Sequence, residues 1–212
     1  MTTLFDLTTE APAATIAAGP RPTTGIPRVI GLDVAMGTTG IAGEGWTDHV
    51  KAKGSSQHSR FEQQLTGIAD HIRHADFVVI EGPAFSKNNQ GADALSAMRW
   101  MVRHDLWKRR IPYAVVNPDH RIIYAVGTAA PKDPETGRRL KGDPLKAVVR
   151  QAVAETYGVV TEGLAKYDES DAYILMAMGL HWLGHPLAVV PDTHRRALKS
   201  VRWPEREAVT AR

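Results

Sequence analysis

The chain has 212 residues, no cysteine, and 26 lysines and arginines against 23 aspartates and glutamates. The lack of cysteine excludes disulfides, thiolate-bound zinc and thiol catalysis. The length suits one domain with a sizeable core plus tails, no apolar run approaches the ~20 residues of a membrane span, and the start lacks the features of a secretion signal, so a cytoplasmic protein is expected.

Residues 1–27 are rich in Ala, Thr and Pro and read as a flexible leader. Residues 28–190 carry the periodic patterns of a folded domain, and 191–212 read as a basic, loosely packed C-terminal tail. Within the domain the first signals are short apolar runs at 29–33, 40–43 and 46–52, separated by Gly-containing turns that suit antiparallel hairpins. Phe61, Leu65, Ile68 and Ile72 then form one helical stripe over 57–74. The run 77–81 is a second buried strand, and 91–110 a second helix with Leu95, Met98, Met101, Val102 and Leu106 inward. A short strand over 113–116 is closed by Asn117-Pro118, and a brief helix follows over 119–126. The segment 127–143 has no apolar periodicity and holds Lys132, Arg138, Arg139 and Lys141. Pro144 starts a helix to about residue 157, and Asp168 opens an apolar helix through 183. Hairpins followed by alternating helices and strands predict an α/β fold, a mixed sheet with helices on both faces.

Two strands end on a carboxylate: Val29-Ile30-Gly31-Leu32-Asp33 and Phe77-Val78-Val79-Ile80-Glu81. A charge at the end of a buried strand needs compensation. For Asp33 this is either a divalent cation, since hard oxygen donors suit Mg²⁺ or Mn²⁺, or the turn amides at 37–39. If the two strands are neighbours, their carboxylates emerge together at one sheet edge, where open α/β sheets place their sites. Asp168 and Asp171, three apart at a helix start, project from one face. They can be a helix cap and a dipole partner, but that reading leaves Asp33 and Glu81 unexplained. Four such acids repel one another without cations, whereas two metals about 4 Å apart need bridging carboxylates of this kind.

Ile30-Gly31-Leu32-Asp33 with Thr39-Gly40, Val79-Ile80-Glu81, and Asp168-x-x-Asp171-Ala172 resemble the acidic motifs of RuvC-type Holliday junction resolvases. Asn117-Pro118 after a strand, and Lys146 at a helix start before Val148-Val149, are similar to further features of that family. The likeness spans about 28–184; it departs in placing Val34 where the family usually has Pro, and in its longer, Arg-rich segment 127–143. It implies a ribonuclease H-like fold with a mixed five-stranded sheet. It further implies an endonuclease in which Asp33, Glu81, Asp168 and Asp171 hold two Mg²⁺ ions (Mn²⁺ substituting) and Lys146 contacts the scissile phosphate. The expected substrate is branched DNA, a four-way junction nicked symmetrically to leave 5′-phosphate and 3′-hydroxyl ends. The family also motivates a homodimer, since paired nicks require two sites related by a two-fold axis.

Beyond the acids, Phe85, Lys87 and Asn88 follow Glu81 in a polar segment able to stack on or wedge against bases, or else form an ordinary loop with Phe85 in the core. Lys132, Arg138, Arg139 and Lys141 are candidates to track phosphates. Trp100, Trp107, Met98 and Met101 fall at helical spacing and suit a core or a dimer interface. The nine histidines show no metal-binding pairing, and His49, His58, His71 and His74 read as surface residues. Rival readings are a nuclease for structured or precursor RNA, an ATP-using enzyme of the sugar-kinase and actin type, and a non-catalytic DNA-binding module. The second lacks its later glycine-rich loops here, and the third has no need of four acids.

Overall fold

The computed structural model describes residues 25–83 and 91–210. Its five strands are β1 (Val29–Asp33), β2 (Thr38–Gly43), β3 (Trp46–Lys51), β4 (Phe77–Glu81) and β5 (Tyr113–Val116). They form one sheet in the order β3-β2-β1-β4-β5. β1 pairs antiparallel with β2 and β2 with β3, whereas β1, β4 and β5 run parallel. The sheet is therefore mixed and five-stranded, as the sequence predicts. The hairpins fall where Gly-containing turns interrupt short apolar runs, and the parallel pairs are bridged by helices α1 (Gln57–Ile72) and α2 (Ala92–Lys108).

Helices cover both faces. α1 and α2 bury Phe61, Ile68, Met98, Val102 and Leu106 against Ile30, Leu32, Val78 and Ile80 on one side. On the other lie α3 (Pro118–Val126), α4 (Asp143–Tyr157) and α5 (Lys166–Leu183), packed on Val29, Phe77, Val79 and Val116. α5 crosses β1 and β2 at close range because both strands carry glycine at the crossing. A methyl group at Gly31 would coincide with the Ala172 carbonyl oxygen, and one at Gly40 with that of Asp168.

Three expectations are corrected. The C-terminal residues are not loosely packed: α6 (Asp192–Arg195), a 3₁₀ helix (Arg196–Ser200) and α7 (Arg206–Thr210) bury Ala197, Val201 and Val209, and Trp203 stacks on Trp182 with ring centroids 5.1 Å apart. The segment 127–143 holds a small hairpin, in which Lys132 and Arg139 face each other and the Asp133 carboxylate accepts from the Thr136 amide at 2.7 Å. Finally, α5 begins at Lys166, so Asp168 lies inside the first turn and does not cap the helix.

Candidate active site

β1 and β4 are parallel neighbours with Leu32 opposite Ile80, so one residue further Asp33 and Glu81 stand side by side at the carboxyl edge of the sheet. The turn after Asp33 is closed by Thr39, whose hydroxyl bonds the Ala35 amide and carbonyl at 3.4 Å. The turn does not use the Asp33 carboxylate, which settles the first of the alternatives raised by its position. α5, seated on Gly40, brings Asp171 and Asp168 over the same edge. Asp33, Glu81 and Asp171 are 5–8% exposed, and Asp168 is half-buried.

At the centre of this cluster lies a cation that the sequence reading missed. Arg121, 8% exposed, donates from Nε to Glu81 Oε1 at 2.7 Å and from Nη1 to Asp171 Oδ1. Its placement follows from local sequence. Asn117 caps α3 by accepting from the Asp119 amide at 2.9 Å, Pro118 occupies the first turn, and Gly82 N–H bonds the Val116 carbonyl at 2.7 Å, tying the ends of β4 and β5 together. The inner face of α3 is Arg121, Ile122, Tyr124 and Ala125. The available signal was an arginine on the apolar face of a helix that starts directly beyond the strand paired with β4.

The electrostatics are those of crowded acids. Burial raises the Asp33 carboxyl well above its ordinary range, Glu81 and Asp171 add to the rise, and Arg121 opposes it. Burial likewise pushes Asp171 up to about 7, against the pull of Arg121 and then Lys146. Asp168 is raised by burial and lowered by Lys146, with Glu81 and Glu169 raising it and His49 lowering it. Lys146, exposed in the first turn of α4, holds its ammonium over the Tyr167 ring at 5.8 Å from the centroid, on the Asp168 side of the cluster.

Four carboxylates against Arg121 and Lys146 leave an excess of negative charge, and oxygen donors of this kind match a hard divalent cation. As the groups stand, no three His, Cys, Asp or Glu donors among the described residues are arranged to hold an ion. The oxygens that Glu81 and Asp171 would offer are engaged by Arg121. The donor set thus fits a divalent cation in kind and in charge, and its arrangement is that of a site balanced by an internal guanidinium.

Lys132, Arg138, Arg139 and Lys141 are exposed on and just after the hairpin that leads into α4. Phe85, Lys87 and Asn88 lie outside the described residues. His49, expected at the surface, is partly exposed but bonds Glu169, a buried acid on α5 that the sequence reading did not single out. No helix of the described residues is long and apolar enough to cross a membrane.

No family model matches the sequence, and no curated protein matches it. Among solved structures, Thermus thermophilus RuvC in complex with a Holliday junction substrate is similar with a TM-score of 0.51 at 12% identity, over 78% of this chain and 99% of that one. A second Thermus thermophilus RuvC structure gives 0.52 at 15% identity, over 77% and 99% of the two chains. At these identities the likeness is one of architecture: the chain has the ribonuclease H-like fold found in RuvC.

Proposed function

We propose that the protein is a divalent-metal-dependent endonuclease that resolves four-way DNA junctions by paired symmetric nicks, leaving 5′-phosphate and 3′-hydroxyl ends. The observation that carries this reading is the convergence of Asp33, Glu81 and Asp171 at the carboxyl edge of a RuvC-like sheet, with Asp168 beside them. Asp33, Glu81, Asp168 and Asp171 would hold Mg²⁺ or Mn²⁺. Bound there, such ions supply activation of water and stabilisation of the departing 3′ oxygen. Lys146, at the rim, would neutralise the scissile phosphate. Lys132, Arg138, Arg139 and Lys141 would contact the DNA backbone on either side, and Phe85, Lys87 and Asn88 would meet bases near the crossover. Two copies would act together, joined through α2, each supplying one site.

The test is cleavage of labelled four-way junction, flap, duplex DNA and RNA hairpin in Mg²⁺, by the wild type and by Asp33→Asn. The wild type nicks the junction in symmetric pairs. Asp33→Asn loses more activity than the roughly 10–100-fold that follows loss of an outer-shell partner, and keeps or gains junction affinity because a charge that repels phosphate is gone. Preference for the RNA hairpin would reassign the substrate, and full turnover in excess EDTA would remove the metal mechanism.

A further inference from the structure

Glu169 sits on α5 between two of the clustered acids, yet it is not placed to join them. It is buried, and both its oxygens are engaged on the far side of the helix: Oε2 accepts from Thr47 Oγ1 at 2.9 Å, and Oε1 lies 2.8 Å from His49 Nδ1. A carboxylate accepts, so Nδ1 carries the ring proton and Nε2 keeps its lone pair. Nε2 has no hydrogen bond among the described residues, and the ring, on the edge strand β3, is 41% exposed. His49 also lies in the row of the acids. It pairs with Gly40, Gly40 pairs with Asp33, and Asp33 neighbours Glu81, so the three side chains leave one face of the sheet. The gap in that row is Gly40, and α5 sets Asp168 directly upon it.

As a tether of α5 to β3, the Thr47–Glu169 bond alone would serve. A histidine oriented by a buried carboxylate, with its other nitrogen open beside clustered acids, is the arrangement of a held base. We propose that His49 is a further catalytic residue of the nuclease inferred above: its Nε2 takes the proton of the attacking water, and Glu169 and Thr47 are the positioning residues behind it. As the water oxygen bonds to phosphorus, its proton passes to Nε2. The bond from phosphorus to the 3′ oxygen breaks with its electron pair on that oxygen, which is protonated from solvent, and His49 returns its proton to solvent.

The inference rests on the nuclease reading, and the experiment separates the two. Single-turnover junction cleavage is measured for the wild type, Asp33→Asn and His49→Ala, with melting temperature and junction affinity recorded for each. Imidazole and a series of methylimidazoles of graded basicity are then added to His49→Ala. The expected result is a loss of roughly 10²–10⁴-fold in His49→Ala at unchanged affinity, with rescue that follows the basicity of the added imidazole. Should His49→Ala melt below the assay temperature, His49→Gln is measured against the same loss. Wild-type cleavage by a folded His49 variant, or a loss that no imidazole restores, overturns the role of His49 and leaves the nuclease reading standing. Cleavage by Asp33→Asn, or none by the wild type, overturns both.

Discussion

The two faces of the sheet use apolar helices in opposite ways. α5 is buried along almost its whole length, from Glu169 to Leu180, because the sheet lies below it, α3 and α4 flank it, and the C-terminal segment closes over it. α2 carries a comparable set of large apolar residues but buries only Met98, Val102 and Leu106. Trp100 and Trp107 stand 61% and 69% exposed, beside a groove of about 610 Å³ between α1 and α2 lined by Leu65, Ala69, Trp100 and Met101. The carboxylates sit on the closed face. Holding like charges together demands surroundings that cannot relax, and a helix fixed on all sides over two strand glycines provides them. The open face has no such task, and its exposed aromatic residues are of the kind enriched at interfaces.

The largest effect belongs to the closed face. Gly31→Ala drives a methyl group into the Ala172 carbonyl, a backbone atom that cannot move without lifting α5 from the sheet. The expected cost is at or above the upper end of the 1–3 kcal/mol typical of overpacking, a large part of a usual folding free energy of about 5–15 kcal/mol. Gly45→Ala is the control of opposite kind, since that residue meets nothing nearby and is strained only through its φ of +77°. Urea melts of both should show a far greater loss for Gly31→Ala. Equal losses would mean that α5 is not pinned as described.

Next in size is the charge balance on that face. Asp33 and Asp171 have carboxyls raised by burial, Asp171 from 3.8 to about 7. Between those values the unfolded chain has released a proton that the folded chain still holds, so each step up in pH favours unfolding. The metal-free protein should therefore lose stability as pH rises from about 4 to 7 and then level off. Arg121 opposes the loss. Arg121→Gln leaves buried carboxylates unpaired, with an expected cost of about 3–5 kcal/mol at pH 8 and less at pH 5, where the acids take up protons. Added Mg²⁺ should raise the melting temperature more at pH 8 than at pH 5, in both proteins. Thermal melts with and without Mg²⁺ at the two pH values check this, and a variant whose deficit is the same at both would refute the balance.

What the sequence discloses follows the same division. Asp33 and Glu81 are legible because a strand of continuous apolar residues ending in an acid is a local pattern, and strand adjacency then places the two acids together. Asp168 and Asp171 are legible through helical spacing. Arg121 and the His49–Glu169 pair are not, because each joins segments far apart in the chain, with 40 residues from Arg121 to Glu81 and 120 from His49 to Glu169. The packing of the C-terminal segment is hidden for another reason: Ala197, Val201 and Val209 fall on different short elements, and no single period links them. The 127–143 hairpin is held by backbone bonds and by Asp133, so it leaves no apolar trace.

The smallest effect on folding is expected on the open face, where the result bears on assembly. Trp100→Glu removes an exposed ring stacked by Arg103 at 5.0 Å, and places a carboxylate where no apolar neighbour is lost from the core. For one chain alone the change should fall within about ±0.5 kcal/mol, as surface substitutions do. If α2 pairs with its copy across a two-fold axis, each dimer buries two such positions, and the substitution sets like charges against each other in a desolvated interface. Light scattering at micromolar concentration should then give a dimer for the wild type and a monomer for Trp100→Glu, with melting measured at low concentration little changed. Symmetric paired nicking should fall in the variant while single nicks persist, because the acid cluster on the other face is untouched. A wild type that remains monomeric even with junction DNA bound would leave the Trp100 and Trp107 surface to some other partner, and would remove the geometric basis for coordinated cleavage.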